Sequence, residues 1–374
     1  MNNFDSMAAH VSAPLMRART RLYQVSGGSP FSGDVRAARL TTAQRLEYFQ
    51  SPEFRDWVAY EKSFGRQVFW LKDVDKTQAS GDIFTFFFKW RADNGKFTKA
   101  QLSEISKYLL KRQSLSRATG VRITRGALAF ANTLGVGIRN PAFADLSPYE
   151  VLRLWEAKEA GGDGIGLLDF WAEVYWPSQR GLTKAEKLRQ VKEFAPTYAD
   201  RVYPGVKEEN LALTAAGIEV VIVTNGDQEL AIAAAPFMGI KPENVVGSHL
   251  IYAGEESTGE NHAYEIFAED WAERPQPGKP LSFHYWIYIN RARWGWENLD
   301  EHLILIAGRD GDSASSDGGM MIFLPTPAIG NFMIDTPGEP KRLEKFQAVT
   351  SKYGWTRGQF FTLVQQQSKL GAQP

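Results

Sequence analysis

Residues 67–77 read QVFWLKDVDKT. Residues 67–71 form a short apolar and aromatic run, which predicts a buried strand. Lys72 follows the run, and Asp73 and Asp75 come directly after it. Ligands of open α/β sheets bind beyond the carboxyl ends of the strands, so these two carboxylates are predicted to lie at a binding edge.

Three further short strands are predicted, and they alternate with helical stretches. They cover residues 218–223 (IEVVIV), 245–250 and 303–307 (LILIA). Helical periodicity over 206–216 and 227–238 ends at Gly217 and Gly239, and glycine is a typical helix stop. Short strands that are apolar throughout are buried on both faces. We therefore predict an α/β protein with a doubly wound parallel sheet.

The chain has 374 residues, with 43 Lys+Arg against 43 Asp+Glu, and no cysteine. A net charge of zero gives no overall attraction for nucleic acid or an anionic membrane, so neither is expected as a partner. The absence of cysteine excludes disulfides, a thiolate nucleophile and Cys-ligated zinc. A chain of this length can supply its stability from a buried core.

Membrane insertion and export signals are not expected. The longest nearly apolar stretch, residues 126–138, is shorter than the roughly 20 residues that span a bilayer. The first thirty residues lack a basic segment followed by an apolar one. We therefore expect a cytoplasmic protein as the chain stands, or a periplasmic one if a signal peptide has been removed.

The length suggests two units, at about 150 residues per domain. We predict a helical N-terminal extension over 1–62, a catalytic core made of 63–90 and 204–374, and an inserted all-α cap over 91–203. The cap is indicated by helical spacing of leucine and aromatic residues.

Polar residues also follow the other predicted strands and loops: Thr224 and Asn225 after 218–223, Lys279 after a Pro/Gly loop, and Asp310, Asp312 and Asp317 after 303–307. Each has an ordinary alternative, because Thr224 and Asn225 would cap a helix and the others would be turn or surface residues. Their joint placement at the predicted strand ends favours a single site.

This set of residue types suits phosphoryl transfer. One carboxylate can attack phosphorus and divide a difficult displacement into two easier ones. A second carboxylate, two residues further on, can protonate the leaving alcohol and then deprotonate water. A hydroxyl, backbone N–H groups and an ammonium can bind phosphate oxygens, and further carboxylates can hold Mg²⁺.

On these residues the chain resembles the haloacid dehalogenase-like phosphohydrolases. The matching motifs are DxDxT at 73–77, VTNG at 223–226, GK at 278–279 and GDSASSD at 311–317. The resemblance implies a Rossmann-like core with a helical C1-type cap, and it is strongest to the phosphorylcholine and phosphoserine phosphatase-like branch. It implies a small phosphomonoester substrate of the phosphocholine, phosphoethanolamine or phosphoserine type.

The same resemblance implies roles for individual residues. Asp73 would be the nucleophile and Asp75 the general acid and base. Phosphate would be bound by Thr224, Asn225 and Lys279. The metal would take Asp73, the backbone carbonyl of Asp75, Asp312 and Asp317.

The chain departs from the family pattern in three places. Lys72 stands where an apolar or aromatic residue is usual, and two extra residues, the second of them Asp310, precede the acidic motif. Asp310 is therefore an alternative to Asp312 as metal ligand. Lys279 lies far before the acidic motif, so Arg291 or Arg293 could replace it.

The cap is expected to select the leaving group. Trp171, Tyr175 and Trp176, with Glu173 beside them, could hold a quaternary ammonium group. Aromatic residues at helical spacing could equally be the core of the cap. Two other functions also stay open: a glycosyltransferase that uses Asp73 and Asp75 to hold a metal and a nucleotide sugar, and a non-catalytic phosphate-binding protein on the same fold.

Overall fold

The computed structural model describes residues 12–25, 39–119, 141–262, 278–299, 303–313, 316–323, 330–335 and 360–364. The apolar stretch at 126–138 lies outside these residues. In the part of the chain described, no helix is long and apolar enough to cross a membrane. The chain divides into two compact units.

The described strands are β1 Arg39–Thr41, β2 Gln67–Lys72, β3 Glu219–Asp227, β4 Val245–Ala253, β5 Glu256–His262, β6 Ile304–Gly311, β7 Gly330–Asp335 and β8 Phe360–Val364. The α-helices of the first unit are Ala13–Val25, Thr42–Gln50, Pro52–Lys62, Val206–Ala215, Gln228–Ala234, Gly278–Asn290 and Ser316–Phe323. The longer α-helices of the second unit are Ile83–Asp93, Lys99–Thr119, Pro141–Glu159 and Lys184–Tyr198.

The first unit is built on a sheet with the strand order β1-β8-β7-β6-β2-β3, followed by the start of β4, residues 245–247. β2 pairs in parallel with β6 on one side and with β3 on the other, and β6, β7, β8 and β1 continue in parallel. Parallel strands that alternate with helices along the chain confirm the predicted α/β class.

Helices cover both faces of β2. Successive side chains of a strand point to opposite faces, so Phe69 and Trp70 separate. Phe69 packs edge-on against Phe283, with ring centroids 5.5 Å apart. Trp70 packs edge-on against Phe49, with centroids 5.0 Å apart. The core therefore continues from the Gly278–Asn290 helix, through the sheet, to the N-terminal helices.

The N-terminal helices belong to the first unit and do not form a separate one. The later part of the predicted helical extension is two helices, which meet at Ser51 and Pro52. Ser51 has extended backbone and accepts the N–H of Phe54, and Pro52 is the first residue of the second helix. Proline lacks an N–H and fits the first turn of a helix, so it starts a new helix here.

Several predicted elements are confirmed with shifted ends. The predicted strand over 67–71 is β2, and β3 and β6 run further than the apolar runs that predicted them. The helix after β3 continues as a 3₁₀ turn over Ala235–Met238, which ends at Gly239 with a positive φ of 72°. The sequence missed β1, β5, β7 and β8. β1 has only three residues, and β5 (ESTGENH) has no apolar side chain.

The second unit comprises, among the described residues, 82–119, 141–198 and 248–262. It begins and ends earlier than the insertion predicted over 91–203, and it includes β5 and residues 248–253 of β4, which pair antiparallel. Phe84 and Phe88 of the Ile83–Asp93 helix pack against Phe170, with ring centroids 6.0 and 5.2 Å away. These contacts place that helix in the second unit.

Candidate active site

Four acidic or basic side chains of the first unit meet at one place. Asp73 follows β2, Asp312 follows β6, Lys279 lies in the first turn of the Gly278–Asn290 helix, and Asp317 lies in the first turn of the Ser316–Phe323 helix. The three aspartates each offer a carboxylate oxygen, and these oxygens lie within 4.8 Å of one another. We call these four residues the acidic cluster.

Lys279 joins two of these carboxylates. Its Nζ donates to Oδ1 of Asp73 at 2.6 Å and to Oδ1 of Asp317 at 2.5 Å. The exposed fractions are 2% for Lys279, 6% for Asp73 and none for Asp317. Such short, charge-assisted hydrogen bonds in a buried place fix the direction of the Asp73 carboxylate.

Asp317 also organises the loop that carries Asp312. Its Oδ2 accepts the backbone N–H groups of Asp312 and Ser313, each at 2.8 Å. Gly311 makes this approach possible, because a Cβ there would lie 2.6 Å from Cγ of Asp317. A side chain at position 311 would therefore displace the Asp317 carboxylate.

The acidic cluster holds three carboxylates and one ammonium. Burial raises the pKa of the Asp73 carboxyl to about 8; Lys279 opposes this shift, and Asp317 and Asp312 add to it. Burial alone would lower the pKa of Lys279, but Asp317 and Asp73 raise it above its ordinary value. Buried carboxylate oxygens with too little positive charge among them fit a hard divalent cation such as Mg²⁺.

Thr224 lies near the end of β3 and is buried, and Asn225 beside it is half-buried. Thr224 Oγ1 accepts the N–H of Gly226 at 3.0 Å, and as a hydroxyl it also has a proton to donate. Neither residue caps the following helix. That cap is Asp227, whose Oδ1 accepts the N–H of Leu230 at 3.3 Å.

The DxDxT segment turns sharply after Asp73. The N–H groups of Thr77, Gln78 and Ala79 all donate to the carbonyl of Val74, at 2.9 to 3.3 Å. Lys76 has a φ of 57°, a left-handed conformation that no other non-glycine residue adopts in the described ranges. Asp75, which lies between Val74 and Lys76 in this turn, is half-buried.

Asp310, the alternative metal ligand, has its carboxylate in a different cluster. Its Oδ2 lies 2.7 Å from Nη2 of Arg45 and 3.1 Å from Nζ of Lys72, and its Oδ1 accepts the indole N–H of Trp70 at 3.1 Å. The carboxylate of Glu209 lies 3.5 Å from both cations. We call Arg45, Lys72, Glu209 and Asp310 the paired cluster.

The paired cluster accounts for two departures from the family pattern. Lys72 of β2 and Asp310 of β6 are partners in strand register, so the unusual lysine neutralises the extra aspartate. Burial alone would raise the pKa of Asp310, but Arg45 and Lys72 hold it below its ordinary value. Arg45 and Glu209 were not predicted, since no local pattern links them to Asp310.

The two arginines considered as substitutes for Lys279 bond elsewhere. Arg291 Nη1 donates to the carbonyl of Tyr288 at 2.7 Å. Arg293 Nη2 donates to Oε1 of Glu219 at 2.8 Å and to Oδ1 of Asn244 at 2.9 Å. Of the three basic candidates, Lys279 is the one that contacts Asp73.

The aromatic residues predicted for substrate selection lie in the second unit. The ring of Trp176 lies 5.7 Å from that of Trp171 and 5.0 Å from that of Tyr175, and all three are buried. Glu173 is exposed, with its carboxylate 3.5 Å from Nζ of Lys111. This packing is that of core aromatics, and a role in substrate selection stays a prediction.

No family model matches the chain, and no curated protein sequence matches it. Among solved structures it is similar to a protein of unknown function from Bordetella pertussis Tohama I, at 14% identity and a TM-score of 0.46, over 79% of this chain and 98% of that one. It is similar to a phosphoserine phosphohydrolase-like protein from Francisella tularensis subsp. tularensis SCHU S4, at 14% identity and a TM-score of 0.34, over 77% and 98%. Cytosolic 5'-nucleotidase IIIB bound to cytidine aligns at 11% identity and a TM-score of 0.41, over 82% and 83%. At these identities and scores, no activity carries over from these proteins to this chain. An activity must be argued from the chain's own side chains.

Proposed function

We propose that this chain is a Mg²⁺-dependent phosphomonoesterase that works through an aspartyl-phosphate on Asp73. One observation carries the proposal: three buried carboxylates and one buried ammonium, from four separate segments, meet beyond the carboxyl ends of β2 and β6. A parallel α/β sheet binds its ligands at this edge.

The chain's residues would act in two steps. An oxygen of the Asp73 carboxylate attacks phosphorus, and the bond from phosphorus to the leaving oxygen breaks while Asp75 gives that oxygen a proton. Asp75, now a carboxylate, takes a proton from water as the water oxygen attacks the phosphorus of the aspartyl-phosphate. Inorganic phosphate leaves, and Asp73 and Asp75 return to their starting states.

The remaining residues would bind and orient. Thr224 and Asn225 would donate to phosphate oxygens, and Lys279 would balance negative charge beside Asp73. Mg²⁺, held by Asp73, Asp312, Asp317 and the backbone carbonyl of Asp75, would neutralise charge on the phosphoryl group.

For the substrate, we propose a small phosphorylated metabolite of the phosphocholine, phosphoethanolamine or phosphoserine type. The support is the resemblance of the four motifs to the haloacid dehalogenase-like phosphohydrolases and their phosphorylcholine and phosphoserine phosphatase-like branch.

The test is release of inorganic phosphate from an aryl phosphate and from these three esters, with Mg²⁺ and after chelation. We expect Asp73→Asn to lower turnover more than about a thousandfold, because the amide cannot form the aspartyl-phosphate. The wild-type protein should form a phosphoryl adduct on Asp73, detectable by mass spectrometry after acid quenching. Chelation should stop turnover, and added Mg²⁺ should restore it.

Asp227→Asn is the matched control. Asp227 is also a buried aspartate at the end of a strand, and asparagine can still accept the Leu230 N–H. This variant should keep its turnover. Full activity of Asp73→Asn would overturn the proposed mechanism, and a wild-type protein that hydrolyses none of the esters would favour the glycosyltransferase or the non-catalytic alternative.

A further inference from the structure

The backbone of the proposed nucleophile is held by one residue of β6. The N–H of Asp73 donates to the carbonyl of Asp310 at 3.1 Å. This hydrogen bond comes directly after the last register pair of the two strands, Lys72 with Asp310. The position of the Asp73 main chain therefore depends on where the Asp310 peptide lies.

The Asp310 side chain is in turn fixed from two sides. Arg45 of the Thr42–Gln50 helix and Lys72 of β2 contact its Oδ2, and the indole of Trp70 donates to its Oδ1. All four side chains are at most 2% exposed. Charge-assisted hydrogen bonds inside a packed core leave such a carboxylate little freedom.

We propose that Asp310 is a positioning residue, whose clamped carboxylate keeps the Asp73 backbone in the place from which its carboxylate attacks. The proposal rests on the proposed function, in which Asp73 is the nucleophile. Small displacements of a reacting group cost large factors in rate, so a fixed main chain at this point serves turnover directly. It also assigns a role to the Thr42–Gln50 helix, because Arg45 of this helix makes the shortest of the side-chain contacts to Asp310, at 2.7 Å.

If Asp310 had a purely structural role, its substitution would affect the protein in the same way as substitution of Glu209. A comparison with Glu209 therefore distinguishes a positioning role from a structural one. Glu209 is the other carboxylate of the paired cluster, equally buried, at 3.5 Å from the same two cations. Asp310→Asn and Glu209→Gln each remove one buried negative charge beside Arg45 and Lys72. Only the first changes the residue whose carbonyl accepts the Asp73 N–H.

The experiment compares steady-state kinetics of the two variants with an aryl phosphate and Mg²⁺, at a temperature where both are fully folded by circular dichroism. We expect Asp310→Asn to lower kcat at least about tenfold while KM changes less than about twofold, since substrate binding does not involve this residue. Glu209→Gln should keep kcat within about twofold. Equal losses of kcat in the two variants, or none in Asp310→Asn, would overturn the proposal.

If Asp310→Asn does not fold, two double variants are used in place of the single variants. Each of them removes one buried cation and one buried carboxylate of the paired cluster. Lys72→Met with Asp310→Asn leaves the Arg45 and Glu209 pair, and Arg45→Met with Glu209→Gln leaves the Lys72 and Asp310 pair. The first should show the loss of kcat and the second a smaller one. The reverse order would contradict the proposal.

Hydrogen exchange of the Asp73 amide gives a readout that does not need activity. Exchange should be at least about tenfold faster in Asp310→Asn than in Glu209→Gln if the clamp holds this peptide. Equal exchange would overturn the positioning role even with an active enzyme. If the wild-type protein releases no phosphate while the exchange difference is found, the proposed function has failed and the clamp on the Asp73 backbone stands.

Discussion

The acidic cluster and the paired cluster each include two residues at the ends of β2 and β6, but they differ in charge balance. The paired cluster sets two cations against two carboxylates, whereas the acidic cluster has one cation for three carboxylates. In the first, Arg45 and Lys72 hold the pKa of Asp310 below its ordinary value, although burial raises that of Glu209. In the second, burial raises the pKa of Asp73 to about 8. A cluster whose charges balance can hold the structure in place. A cluster with an excess of negative charge is suited to bind a cation.

The largest expected effect comes from removing the one cation of the acidic cluster. Lys279→Met leaves three buried carboxylates without an ammonium, so turnover should fall by more than about a hundredfold. Without added metal, the free energy of unfolding should fall by about 3–5 kcal/mol, the usual result of breaking a buried ion pair. Kinetics and urea unfolding in chelator measure the two effects.

Lys241→Met, which removes an exposed lysine, should change neither quantity. If Lys279→Met were as active as this control, the acidic cluster would not be the site.

The next effect concerns the paired cluster. Arg45→Met leaves two buried carboxylates to share Lys72, and we expect it to lower the free energy of unfolding by about 3–5 kcal/mol. Adding Glu209→Gln removes the excess negative charge and should restore part of that loss, because the remaining Lys72 and Asp310 are then balanced. Urea unfolding of the wild type, both single variants and the double variant closes the cycle. A double variant no more stable than Arg45→Met would show that charge balance is not what holds this cluster.

The smallest effect, taken per pH unit, is a change of stability with pH that has opposite sign for Asp73 and Asp310. The pKa of Asp73 rises from an ordinary 3.8 to about 8 on folding, so the folded protein keeps a proton that the unfolded chain releases. Its contribution to stability is therefore lost as pH rises between these values, by at most about 1.4 kcal/mol per pH unit. Asp310, whose pKa is lowered, contributes stability that is lost as pH falls.

Urea unfolding in chelator, at several pH values between about 5 and 8, measures this slope. Asp73→Asn should remove the decline with rising pH, whereas Asp227→Asn should keep it. An unchanged slope in Asp73→Asn would contradict the raised pKa of this carboxyl.

Much of the acidic cluster could be predicted from local sequence. Asp73 follows an apolar strand, and Asp317 lies in the first turn of an apolar helix. The carboxyl ends of parallel strands share one edge of the sheet. Motif order favours Lys279 over Arg291 and Arg293, and Lys279 is the one of these three residues that contacts Asp73. The bounds of the second unit were less predictable, because the phenylalanines of 83–93 fit either unit until their partners are known.

The α/β class and the order of the polar strand ends follow from the sequence, since apolar periodicity and turn residues are local signals. That Asp310 contacts Arg45 while Asp312 lies beside Asp73 follows from tertiary packing. Strand register and the end of β6 at Gly311 set the direction of each carboxylate, and Arg45 lies 265 residues away along the chain. Contacts of that range depend on how whole elements pack, which no stretch of sequence encodes by itself.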